Sequence, residues 1–135
     1  MSSDTWLLAA FEDTSLPADQ FHHAQHVHVA WMFVQRHGMP DALDKFSTAL
    51  KRFAIAKRVP TLYHATITWA YLLLIAERMA RVPGRTWDEF RTQNADLLTW
   101  KPSVLDRYYT AETLWSDFAK RTFVMPDKGA GTGIV

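Results

Sequence analysis

No cysteine occurs among the 135 residues. That absence removes disulfides, thiolate metal ligands and a cysteine nucleophile together, and it makes a reducing, cytoplasmic setting the expected one. Long apolar runs are missing as well. The longest stretch without a charged or strongly polar side chain, Trp69 to Ala76, falls well short of the roughly 20 residues a membrane-crossing helix needs. No membrane span is expected. The opening Met1 to Thr5 has no basic region, and the apolar stretch from Trp6 to Phe11 is cut short by Glu12 and Asp13, so no secretory leader is expected either. Nor does one sign of charge dominate. Fifteen Lys and Arg oppose fourteen Asp and Glu, for a net charge of +1, and so balanced a chain attracts a phosphate backbone weakly. The basic run Lys51, Arg52, Lys57 and Arg58 has no interleaved aromatic platform, which makes it a solvated helix face and argues against a nucleic-acid partner.

Glycine is scarce, and three of the five glycines fall within residues 128–135. A flexible tail is expected there, behind one domain spanning residues 1–127. A glycine-rich phosphate loop, a nucleophile elbow, an H-E-x-x-H helix and the Glu-x-x-His pair of di-iron bundles are all absent, which sets those chemistries aside. Strand-like alternation and hairpin dipeptides are absent too.

Helical punctuation is plentiful. Pro17 and Asp19 open a helix that Gly38 closes at His37, and Pro40 starts a second that runs to about Lys57 before Pro60. A third is expected from Thr61 as N-cap to about Arg81, where Val82-Pro83-Gly84 breaks it. It is apolar nearly all round until Glu77, which suits a buried central member of a bundle. Thr86 and Glu89 form a capping box for a fourth helix ending near Leu98, and a fifth covers Thr110 to Phe123. The expected fold is all-α, a compact bundle of about five helices. Six tryptophans, eight phenylalanines and four tyrosines fill such a core, and they can also wall a ligand pocket.

The distinguishing feature is four histidines within Phe21-His22-His23-Ala24-Gln25-His26-Val27-His28. At about 100° per residue, Val27, Ala30, Trp31, Phe33 and Val34 form an apolar stripe that includes His23 and His26. His22 falls on its edge, His28 points toward solvent, and His37 caps the negative helix end. Two imidazoles three residues apart can hold one metal ion or one polar ligand between them. The third candidate is His64, in the first turn of the central helix, where the positive helix end favours a neutral ring. Such a ring serves as metal ligand, general base or hydrogen-bond donor. Thr68 and Tyr71 share its face and Tyr63 precedes it, which nominates these hydroxyls for substrate binding. Arg107, beside Tyr108 and Tyr109, is nominated as an anion-binding guanidinium. Glu77 is expected to pair with a cation across the bundle, Arg107 being a candidate, or else to serve as a carboxylate ligand from a second side. The plain alternative for each histidine is a core residue hydrogen-bonded to a carbonyl or hydroxyl.

Through Phe21, His23, His26, Ala30 and Trp31, then Tyr63, His64, Thr66 and Thr68, the chain resembles a group of small bacterial helical proteins without assigned function. The similarity extends to Arg107-Tyr108-Tyr109 and to Phe123 through Asp127. It implies a helical domain over most of the chain and no particular reaction.

The leading expectation is a small enzyme acting on a small molecule, with His23, His26 and His64 converging between the first and central helices. In one form the three imidazoles bind a divalent iron, zinc or copper ion and leave a position open. In the other, metal-free form, His23 and His64 act as acid and base. The alternative is a non-catalytic module that holds a small ligand in a tryptophan-rich cavity. A homodimer is the expected assembly for so small a bundle.

Overall fold

The computed structural model describes residues 3–128. Among these residues it is all-helical and without strands, built from eight α-helices and three short 3-10 turns. The tail expected over residues 128–135 lies outside the described residues apart from Lys128. That residue is tied down, its N–H donating to the Tyr108 carbonyl at 2.9 Å.

The first helix, α1 at Ser3–Glu12, is not among the expected ones. Its Leu7, Leu8 and Phe11, three and four residues apart, bury one face, while Trp6 remains 56% exposed. A 3-10 turn at Ala18–Gln20 follows, and α2 begins only at His23 and runs to His37. The His22 N–H, an orphan donor of the helix start, is satisfied by the Gln25 side chain at 3.0 Å. Gly38 stops α2 at φ 70°, a left-handed backbone that residues with a Cβ adopt at a cost. α3 (Asp41–Ala56) buries Phe46, Leu50 and Phe53 and turns Lys45, Lys51 and Arg52 outward, as its spacing requires.

The next helix, α4, covers Ala65–Arg81. Its N-cap is His64 rather than Thr61, because Pro60 to Leu62 form a separate 3-10 turn. The fourth expected helix is two: α5 (Trp87–Gln93) and α6 (Ala95–Leu98). The break falls at Asn94, whose buried amide donates to the Phe90 carbonyl at 2.9 Å and accepts from Arg78 at 3.2 Å. A side chain that competes for local backbone partners interrupts a helix in this way. The Thr86–Glu89 capping box forms reciprocally, at 2.8 and 3.1 Å. The last expected helix is also divided, into α7 (Ala111–Leu114) and α8 (Asp117–Arg121). Ser116 takes the intervening position as a fresh N-cap, accepting from the Ala119 N–H at 3.1 Å.

The longest unbroken run of buried residues among those described lies on α2, from Val29 to Val34. That helix packs against α1, α3, α4 and α6. α4 packs on α2, α3 and α8, and it keeps one side open, with Leu73 and Glu77 exposed. Phe11 is the hub of an aromatic cluster, its ring 5.0 Å from Phe21, 5.8 Å from Phe46 and 5.3 Å from Phe53. The C-terminal segment is latched onto α4 by Thr66. Its fully buried hydroxyl shares one proton between the Ala119 and Thr122 carbonyls, at 2.7 and 2.9 Å, and accepts the Val124 N–H at 3.1 Å. This latch sets where α8 lies, and with it two cations described below.

Two expectations about charged groups are corrected. His28 does not face solvent: its ring lies flat on Trp87 at 4.2 Å, and its Nε2 is 3.0 Å from an Asp4 oxygen. α1 and α5 cover the side of α2 that a single-helix projection leaves open. Glu77 does not reach Arg107 but pairs with Arg81 one turn on, at 2.9 Å, since its side of α4 faces water.

Candidate functional site

A cavity of about 650 Å³ opens between α2, the start of α4 and the C-terminal segment. Its size is within the ordinary range for small-molecule sites. His23 stands at the first residue of α2 and His26 one turn further, so the helical period places both rings on the cavity side. His64, Thr68 and Tyr71 descend the facing side of α4 at four- and three-residue steps, with Tyr63 just before them. The cavity wall thus includes His23, His26, Tyr63, His64, Thr68 and Tyr71. Arg107 is elsewhere. It sits at the surface, 3.2 Å from Asp96, a carboxylate that Arg78 grips through both guanidinium nitrogens at 2.6 and 2.9 Å.

The three imidazoles differ in what they have left to offer. In His64, buried at 7% exposure, Nδ1 accepts the Ile67 N–H at 3.1 Å, so the proton resides on Nε2 and is donated to the Leu114 carbonyl at 2.8 Å. Both nitrogens are occupied, one capping α4 and the other holding the α7 segment. Burial is the main cause that lowers its pKa, and the Lys120 charge adds to it. Truncating His64→Ala is expected to cost about 2 to 3 kcal/mol, one part for the cap and one for the stranded buried carbonyl. His64→Asn, which keeps a cap acceptor, recovers about 1 kcal/mol of that. Urea unfolding of the two variants measures both losses, and a cost to His64→Ala near zero would remove the structural role assigned to this ring.

His23 donates from Nε2 to the Leu97 carbonyl at 2.8 Å, which leaves a lone pair on Nδ1. Its ring meets Tyr71 edge-on at 5.0 Å and Trp100 at 4.9 Å, and burial lowers its pKa. His26 is the least committed. Its ring stacks on Phe21 at 3.9 Å and makes no hydrogen bond among the described residues. Burial, reinforced by neighbouring His23 and His22, pushes its pKa down to about 3, so at neutral pH it presents one N–H and one lone pair, both without a protein partner. Among the described residues, no group of three or more His, Asp or Glu is placed to hold a metal ion.

The remaining walls come from residues that sequence reasoning does not single out. Trp100 and Trp115 meet edge to face at 6.5 Å, Trp115 also meets His64 edge-on at 5.5 Å, and Lys120 and Arg121 of α8 complete the lining. Composition marks the chain as tryptophan-rich, but no local pattern assigns these two rings to a pocket. No Asp or Glu belongs to the lining. Polar hydroxyls are few. Tyr71 donates to or accepts from Ser103 at 2.9 Å, and the Thr68 hydroxyl has no side-chain hydrogen bond among the described residues.

No helix among the described residues is long and apolar enough to cross a membrane. No family model, no curated protein and no solved structure matches the chain.

Proposed function

We propose that the protein is a small-molecule-binding module whose ligand occupies the cavity between α2 and α4. The observation that carries this reading is His26, a neutral imidazole in an aromatic wall, with a donor and an acceptor that no protein group satisfies. The ring is partly exposed to the cavity, and a ligand with a complementary edge pairs with both nitrogens while its apolar body displaces water from the tryptophan faces. His64 contributes as scaffold, because both of its nitrogens hold the walls together.

An enzymatic reading is favoured by His23. Its Nε2–H is anchored on the Leu97 carbonyl, which orients the Nδ1 lone pair as a general base is oriented. In a metal-dependent form, His23 and His26 supply the imidazoles and the ion completes its shell with water or substrate. Binding is preferred over catalysis because both nitrogens of His64 are engaged by the fold and no Asp or Glu lines the cavity to work with His23 in proton transfer.

Thermal-shift measurements with a panel of neutral and anionic aromatic fragments test the proposal, with tryptophan fluorescence as a second readout. A fragment at about a hundredfold above its Kd stabilises the native state by about 2.7 kcal/mol, which moves the midpoint by several degrees. His26→Leu should diminish the response. A panel that leaves both midpoint and fluorescence unchanged would defeat the proposal. A stoichiometric metal in untagged protein, lost in His23→Ala, would move the assignment to the enzymatic form.

A further inference from the structure

We infer that the ligand is a flat aromatic carboxylic acid, its ring system seated among Trp100, Trp115 and Tyr71 and its carboxylate turned toward Lys120 and Arg121. This inference rests on the cavity being a ligand site and adds the chemical class of what enters it.

The aromatic half of the argument is geometric. Trp100 and Trp115 stand nearly perpendicular, at 88°, and Tyr71 lies 6.4 Å from Trp100 at 37°. Two walls at a right angle offer a face to one side of a planar ring and an edge to another, the arrangement that π quadrupoles favour. A saturated chain gains area from such walls but none of this directional energy.

The charge half comes from what lines the cavity and what does not. Lys120 and Arg121 are the cationic side chains of the lining, and no carboxylate accompanies them there. Lys120 reaches Asp117 only at 4.0 Å, and that carboxylate is itself 93% exposed. Arg121 forms no ion pair among the described residues. Both cations are held at the cavity by the Thr66 latch, which ties the Ala119 and Thr122 carbonyls to α4 on either side of them. An anion is therefore attracted to this end without displacing a resident acid, whereas a cationic ligand meets like charge. Within the same lining the uncharged imidazole of His26 suits a neutral polar edge of the ring system.

The experiment compares naphthoate, its neutral isostere naphthamide and the aliphatic decanoate by quenching of tryptophan fluorescence. The proteins are the wild type and the double variant Lys120→Gln, Arg121→Gln, whose sites are exposed and away from the core. Naphthoate is expected to bind about tenfold tighter than naphthamide at low salt, the combined worth of two rim charges. In the double variant the ratio should collapse toward one, through a loss of naphthoate affinity. Naphthamide binding as tightly as naphthoate would overturn the charge assignment and leave the cavity reading standing, and decanoate matching naphthoate would overturn the aromatic assignment in the same way. Absence of binding by all three probes, with another fragment of the thermal-shift panel still raising the midpoint, would overturn the inference and leave the cavity reading standing.

Discussion

Acidifying the protein from pH 7 toward pH 3 is expected to remove a large part of its stability, with His26 the largest single cause. An imidazole in the unfolded chain takes up its proton near 6.5, whereas that of folded His26 does so only at about 3. Between these values the unfolded chain binds more protons than the native one, so stability falls as pH falls, and it is fully present above about 6.5. The span corresponds to at most about 5 kcal/mol, reduced by whatever solvent reaches the ring from the cavity. Burial lowers His23, His28 and His64 as well, so their contributions have the same sign and begin to be lost in the same direction. For His64 the mechanism is specific, because a protonated Nδ1 can no longer accept the Ile67 N–H that caps α4. Urea midpoints measured at intervals across this range, in the wild type and in His26→Leu, test the claim. The variant should show a visibly flatter dependence below pH 6.5. Parallel curves would mean that His26 titrates alike in both states and that the depressed proton affinity assigned to it is wrong.

The largest mutational loss is expected from Phe11→Ala, at about 3 to 5 kcal/mol. Phe11 is fully buried and touches Phe21, Phe33, Phe46 and Phe53, so its removal opens a void that rings from α2 and α3 and the segment before α2 cannot all close. Trp6→Ala on the same helix removes an equally aromatic but mostly exposed side chain, and it should change stability by no more than about 0.5 kcal/mol. The contrast separates docking of α1 from its helical propensity. Phe21 stacks against both Phe11 and His26, so the loss should extend to the cavity and weaken fragment binding in protein that is still folded. A Phe11→Ala loss below about 1 kcal/mol in urea unfolding would show that α1 is not part of the core.

Part of the site is legible in the order of the residues. His23 and His26, three residues apart, and His64, Thr68 and Tyr71, spaced by four and three, share helix faces by the 3.6-residue period alone, and both faces line the cavity. The end of α2 at Gly38, the amphipathic face of α3 and the Thr86–Glu89 box are readable for the same reason, since each depends on residues within one or two turns. Where the chain can choose between two local solutions, spacing is not enough. Asn94 and Ser116 each read as an acceptable helical residue, yet each breaks its helix because a neighbouring backbone group or Arg78 offers its side chain a better partner.

Long-range partners are out of reach altogether. Periodicity gives the direction in which a side chain leaves its own helix, and it carries no information about what another segment brings to meet it. His28 leaves α2 away from the stripe, and only the arrival of Asp4 and Trp87 covers it. Arg107 has the chemistry to bind an anion, and the anion it finds is Asp96. His64 has the position of a reactive base, and the carbonyl of Leu114, fifty residues away, makes it a structural one. Local chemistry therefore settles which residues can face a cavity, whereas the packing of distant segments settles which of their polar atoms are left unpaired. Function depends on that second property, because a donor or acceptor already satisfied by the fold has little left to offer a ligand.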